Sequence, residues 1–225
     1  MSDSRGISLV VLAKDSTAAK TRLRLPPEHA RALALRLAAA TVRAGVAAET
    51  VGAVFVVTSD PDIARDAVRA GAAVVDEQRP VGMNRAAAMG RRQAFASRPN
   101  EPVGVIVADL PGVHPRDLDA VVHGFHVAGC PVFVPDHEGT GTTFVVHAAG
   151  RSPGFGFGLG SAAMHERLGY RRAEHTPRAM RWDLDTEEDL SALSALPAAN
   201  GTDQNTRLRP FVHPSSESRV SIFSA

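Results

Sequence analysis

The chain has one cysteine (Cys130), one tryptophan and one tyrosine, and aromatic residues make up 5% of its 225 positions. A single cysteine closes no internal disulfide and builds no cysteine-rich zinc site, so a reducing, cytoplasmic compartment is expected. So few aromatics leave little on which single-stranded nucleic acid would stack. An excess of charge of one sign is also missing: 25 Lys and Arg face 24 Asp and Glu, for a net charge of +1. Binding to nucleic acid through a broad phosphate-contacting surface is therefore not expected. No apolar run approaches the roughly 18 residues that cross a membrane, and the one before Lys14 is too short for the core of a signal peptide. Several catalytic signatures are missing as well. There is no G-x-x-x-x-G-K-[ST] loop, no G-x-G-x-x-G after the first strand, no H-E-x-x-H and no G-x-S-x-G. Walker-type phosphate binding, a dinucleotide site, zincin chemistry and the nucleophile elbow of the α/β-hydrolases all lose their usual sequence support.

What remains is an ordinary globular composition, 44% apolar and 22% charged. A chain of this length buries roughly 70–75% of its unfolded surface and needs no covalent staple. Continuous apolar runs at 7–13, 53–58 and 103–108 and the short run 73–75 suit strands buried on both faces. Between them lie helical segments. Residues 27–47 carry Leu33, Leu37, Ala40 and Ala44 on one stripe, Asp60-Pro61 opens a helix to about Ala70, and 83–96 is helical by composition. Pro115 opens a helix with Leu118, Val121, Val122 and Phe125 on one face. Residues 131–135 and 142–147 read as strands of an antiparallel hairpin, 161–169 as a short helix, 180–184 as a short strand and Thr186 to about Leu196 as the last helix. The pattern predicts an α/β domain over 1–197 with a mostly parallel sheet, followed by a disordered tail, 198–225. In such sheets ligands sit beyond the carboxyl ends of strands, here just after Ala13, Thr58, Ala108 and Asp183.

Five constellations fall near those ends. Lys14, Lys20 and Arg22 place three cations in a nine-residue loop, which reads either as a solvated basic stretch or as a triphosphate cradle. Asp109, ending a strand before Leu110-Pro111, either caps a turn or presents a carboxylate to a hard divalent cation. Asp183 and Asp185 alternate on one face of the expected strand, where two carboxylates invite a cation, although Asp185 or Thr186 equally suits a helix cap. Gly139-Thr140-Gly141-Thr142-Thr143 reads as an anion-binding nest or a plain hairpin turn. The run from Gly154 to Ser161 is a glycine loop whose Ser161 opens a helix, suited to a close-approaching anion or to an ordinary cap. Nine histidines form no tight cluster, and only His165 lies near this loop.

Taken in order, Lys14, Ala19-Lys20-Thr21-Arg22-Leu23, Met83-Asn84, Ala108-Asp109-Leu110-Pro111, Gly139-Thr140-Gly141-Thr142, Phe157-Gly158, Ser161 and Asp183-Leu184-Asp185-Thr186 resemble the phosphoenolpyruvate/2-phospho-L-lactate guanylyltransferases of coenzyme F-420 biosynthesis. The resemblance spans about residues 8–195. It implies a nucleotidyltransferase fold of the glycosyltransferase-A type, a mixed, mostly parallel sheet flanked by helices. It implies transfer of GMP from GTP to the phosphate of a small phosphorylated carboxylic acid, with release of pyrophosphate. The product would pass to a downstream phosphotransferase of the pathway. By the same resemblance Mg²⁺ is held by Asp109, Asp183 and Asp185, and the acid by Thr142, Gly158 and Ser161. Lys14, Lys20, Arg22 and Asn84 fall to the nucleotide, and Asp109, Lys20 and Arg22 to catalysis.

The chain departs from the family at Ala108, where Gly is usual, at Leu159-Gly160, where Pro-Asp is frequent, and at Met83, where Leu is frequent. By the resemblance phosphoenolpyruvate is the favoured acid, because Thr142 and Ser161 match the bacterial pattern, and 2-phospho-L-lactate and 3-phospho-D-glycerate stay as alternatives because such acids differ by few atoms. Other readings stay open: a related glycosyltransferase-A-type enzyme using a nucleotide-sugar or another acceptor, or a non-catalytic binding domain on this fold.

Overall fold

Every residue of strand β1, Ile7–Leu12, is buried, and its side chains alternate between two separate cores. Ile7, Leu9 and Val11 point to one side, and Val10 and Leu12 to the other. A strand covered on both faces has no polar face to show, which is why the run reads as continuously apolar. The computed structural model describes residues 6–16, 25–80, 82–150 and 152–184. Lys20, Arg22 and Asp185, the helix expected from Thr186 and the tail 198–225 lie outside the described residues.

The order after β1 is α1 (Pro27–Ala47), β2 (Val51–Thr58), α2 (Pro61–Arg69), β3 (Ala73–Asp76), α3 (Met83–Ser97), β4 (Val103–Val107) and α4 (Pro115–Ala128). Then follow β5 (Val132–Pro135), β6 (Thr142–His147), α5 (Ser161–Arg167), β7 (Arg171–Arg172) and a 3-10 turn, Arg178–Met180. The seven strands form one sheet in the order β3-β2-β1-β4-β6-β5-β7. Pairing is parallel except at β6, which runs against β4 on one side and β5 on the other. The expected α/β class, mixed and mostly parallel sheet and β5–β6 hairpin pairing are all present.

Helices α1, α2 and α4 cover one face through Ala38, Val42, Ile63, Leu118, Val122 and Phe125. Helices α3 and α5 cover the other through Ala86, Ala87, Ala94 and Ala162. Helix α3 lies so close to the sheet that a Cβ on Gly90 would collide with Val10 and Val57. Among the described residues no helix is long and apolar enough to cross a membrane.

One expected strand is absent. Residues 180–184 join no ladder: Pro177 leads into the 3-10 turn, and the edge position beside β5 is taken by β7, whose Arg171 and Arg172 pair with Val132 and Phe133. The Leu184 N–H instead donates to the Asp109 carbonyl at 3.2 Å. A short apolar and charged run looks like a strand locally, but a strand needs a free partner edge.

Candidate active site

At the carboxyl ends of β1, β4 and β5 lies a cavity of about 560 Å³. Leu12, Ala13 and Lys14 line it from β1, Val107, Ala108 and Asp109 from β4, and Asp136 to Glu138 from the segment after β5. Thr140 to Thr142, Gly158 to Ser161 and Asp183 complete the far wall. The structure therefore gathers Lys14, Asp109, Thr142, Gly158, Ser161 and Asp183 around one space. The end of β2 contributes nothing at Thr58, which is buried and accepts a hydrogen bond from the Asp60 N–H at 3.0 Å.

Lys14 is exposed at the head of its loop. Two residues on, Ser16 is buried and donates both its N–H, at 3.0 Å, and its hydroxyl to Asp60 Oδ2. Asp60 Oδ1 meanwhile accepts from the N–H groups of Asp62 at 2.8 Å and Ile63 at 3.2 Å, which caps α2. Burial pushes the Asp60 carboxyl up, but the hydrogen bonds from Ser16, Ile63 and Asp62 outweigh it and hold the group below the ordinary carboxylate range. One carboxylate thus fastens the start of the basic loop to the second helix.

Asp109 follows β4, held from behind by the fully buried Leu110 and Val113. The Thr41 hydroxyl of α1 donates to the preceding carbonyl, of Ala108, at 3.4 Å. The Leu184–Asp109 backbone bond brings Asp183 beside it, so two carboxylates from distant segments face one cavity. Asp183 Oδ1 also lies 3.9 Å from His137 Nδ1. His137 stacks on Trp182 with ring centres 4.8 Å apart, and the Arg178 guanidinium covers Trp182 at 4.6 Å. Among the described residues no group of three or more His, Cys, Asp or Glu gathers at a spacing fit for a metal. The Asp109 and Asp183 carboxylates, opening onto one cavity, suit a hard divalent cation that takes its remaining ligands from a bound phosphate.

The expected Gly/Thr nest is present but already filled. The Thr140 and Gly141 N–H groups donate to Asp136 Oδ1 and Oδ2 at 3.0 and 2.8 Å, so the protein's own carboxylate occupies the place foreseen for a ligand anion. A Cβ on Gly141 would run into that carboxylate. Arg181 Nη2 donates to the Asp136 carbonyl at 2.9 Å and braces the same loop. Thr142, at the end of this segment, still lines the cavity.

The glycine loop is tied down by side chains from elsewhere. Asn84, expected at the nucleotide, does not line the cavity. Its Nδ2 donates to the Phe157 carbonyl at 3.0 Å and its Oδ1 accepts the Phe157 N–H at 2.7 Å. The Tyr170 hydroxyl donates to the Gly154 carbonyl at 3.0 Å. Gly158 and Gly160 have φ of +124° and +68°, which L side chains adopt only with strain. His165 lies fully buried behind Thr142 and Ser161. Asp136 and Arg181 carry no sequence signal for these roles, and Asp60 is legible only as the start of α2, because its Ser16 partner is 44 residues away.

The geometry agrees with what the chain resembles. A profile of the MobA-like NTP transferase domain matches residues 26–199. A phosphoenolpyruvate guanylyltransferase from Thermomonospora curvata is 37% identical over 93% of this chain and 92% of its own length. Another, from Geodermatophilus obscurus, is 37% identical over 85% of this chain and 90% of its own. Among solved structures, one described as a nucleotide-diphospho-sugar transferase from Desulfovibrio desulfuricans G20 superposes with a TM-score of 0.65. It covers 91% of this chain and 94% of its own at 13% identity, a likeness of fold alone.

Proposed function

The chain belongs to the MobA-like NTP transferase domains and, among them, to the phosphoenolpyruvate guanylyltransferase family of nucleotidyltransferases, and from that premise we propose that it transfers GMP from GTP to the phosphate of phosphoenolpyruvate. The observation that carries this reading is the convergence on one cavity of Lys14, Asp109 and Asp183 with the Thr142–Gly158–Ser161 wall. An enzyme joining two anions needs charge neutralisation from one side and a separate hold on the acceptor from the other.

In this reading Lys14, with Lys20 and Arg22 of the same loop, takes the triphosphate. Asp109 and Asp183, with Asp185, hold Mg²⁺, which when bound neutralises phosphate charge. Thr142, Gly158 and Ser161 seat the acid. A phosphate oxygen of the acid forms a bond to the α-phosphorus of GTP while the bond to the bridging α–β oxygen breaks. Pyrophosphate leaves with that electron pair. The attacking phosphate is already ionised near neutral pH, so no general base is needed, and this chain's residues orient and neutralise rather than move protons. The filled Asp136 nest and the Asn84 clamp keep the acceptor wall in shape. Coenzyme F-420 biosynthesis, with a phosphotransferase consuming the product, is the pathway this assignment implies.

The test is pyrophosphate release and product mass with GTP, Mg²⁺ and each of phosphoenolpyruvate, 2-phospho-L-lactate and 3-phospho-D-glycerate. The expected product is guanylylated phosphoenolpyruvate, with GTP preferred over ATP and CTP. No guanylylated product with any of the acids would overturn the reading.

A further inference from the structure

We propose that His165 is a positioning residue that, with its proton on Nδ1, commits the Thr142 hydroxyl to donating a hydrogen bond toward the anionic acceptor; this rests on the acceptor reading above. The argument starts at the other ring nitrogen. The Gly156 backbone N–H donates to His165 Nε2 at 3.1 Å. A backbone amide only donates, so Nε2 must present its lone pair and carry no proton. The proton of the neutral ring then sits on Nδ1.

Nδ1 lies 3.0 Å from Thr142 Oγ1. With Nδ1 protonated, the hydroxyl oxygen is an acceptor there, and its own hydrogen cannot point at the ring. Thr142 is 8% exposed and that exposure opens onto the cavity. A threonine hydroxyl ordinarily serves as donor or acceptor as its neighbours demand. Here it is biased to donate, the polarity that a phosphate or carboxylate oxygen needs.

The ring has little freedom to do otherwise. Phe133 stacks beside it with centres 6.0 Å apart, and Phe157 and Tyr170 meet it edge-on at 5.1 and 5.3 Å. Burial among them pushes the imidazole down to about 4, so it stays neutral at cellular pH. The Gly156 bond also couples the relay to the glycine loop that supplies Gly158.

Two measurements test this on the intact protein. The first is the ring ¹⁵N spectrum of His165 without substrate at pH 7.5. Protonated Nδ1 with bare Nε2 is expected, and the Nε2–H tautomer or an imidazolium would overturn the proposal whether or not the enzyme acts on phosphoenolpyruvate. The second is a double-mutant cycle. His165→Phe should raise KM for the acid roughly tenfold, because the Thr142 hydroxyl is then free to turn its hydrogen away from the acid, with KM for GTP unchanged. His165→Asn, which keeps a donor where Nδ1 stood, should recover most of that loss. In a Thr142→Val background His165→Phe should add less than twofold. Additive effects, or an equal rise in KM for GTP, mean that His165 only supports the fold. Wild-type protein that yields no guanylylated acid but shows the Nδ1–H tautomer would instead defeat the assigned reaction and leave the relay standing.

Discussion

The Asn84 side chain pairs with the Phe157 backbone at both ends of its amide, donating to the carbonyl at 3.0 Å and accepting from the N–H at 2.7 Å. The two residues are 73 positions apart, and the pair behaves like one rung of a ladder. It joins the first turn of α3 to the glycine loop of the acceptor wall. Asn84→Ala should lower stability by about 1–2 kcal/mol, because two hydrogen bonds go and backbone groups lose their partners. KM for the acid should rise several-fold while KM for GTP holds. A reversed pattern, GTP affected and acid spared, would return Asn84 to the nucleotide.

Asp109 and Asp183 give a sharper contrast between activity and stability. Asp109→Asn removes one hard anionic ligand without changing shape. Guanylyl transfer at saturating Mg²⁺ should fall at least about a hundredfold, a loss of roughly 3 kcal/mol of transition-state stabilisation. The melting temperature without metal should stay the same or rise, because two carboxylates facing one cavity repel. Near-normal turnover of the variant would remove Asp109 from the metal.

Asp60 separates loop anchoring from helix capping. Asp60→Ala loses both, and the cap alone is worth about 0.5–2 kcal/mol. Asp60→Ser restores a capping hydroxyl to α2 but not the carboxylate that Ser16 grips. Stability should therefore largely return in the Ser variant, while KM for GTP stays several-fold above wild type. If both variants bind GTP normally, the loop from Lys14 onward is not the triphosphate cradle.

His165 should leave a mark on acid stability. Its native imidazole is pushed from 6.5 down to about 4, so the unfolded chain binds a proton that the folded one refuses. Stability is then complete above about pH 6.5 and declines as pH drops toward 4, by as much as about 3 kcal/mol from this group. Urea midpoints at pH 7.5 and 5.0 should converge in His165→Asn relative to wild type. Parallel declines would place the acid sensitivity elsewhere.

The sequence alone determined the elements whose burial leaves a local pattern. The apolar run of β1 is legible because both its faces are covered. Helix α1 is legible over its whole length, Pro27–Ala47, because its small and aliphatic residues recur at helical spacing. The antiparallel hairpin is legible from two short strands around a glycine turn, and the carboxyl-end rule points to Ala13, Ala108 and Asp183 at the cavity but also to Thr58, which does not line it. The six residues gathered at the cavity, Lys14, Asp109, Thr142, Gly158, Ser161 and Asp183, were named from motif and resemblance.

Only the tertiary structure decided which partner each polar group took. Residues 180–184 read as a strand but join no ladder, and β7 pairs beside β5 while the Leu184 N–H goes to the Asp109 carbonyl. The Gly/Thr turn reads either as an anion nest or as a plain hairpin turn, and Asp136 decides it, since a carboxylate a few residues away in the chain reaches those N–H groups without any ligand. Asn84 faces Phe157 and not the cavity, and His165 Nδ1 faces Thr142, through contacts 73 and 23 residues apart. Local sequence constrains backbone shape and apolar periodicity. A hydrogen bond is chosen by whichever donor and acceptor the completed fold brings together, and for Asn84 and His165 no short window of sequence contains both.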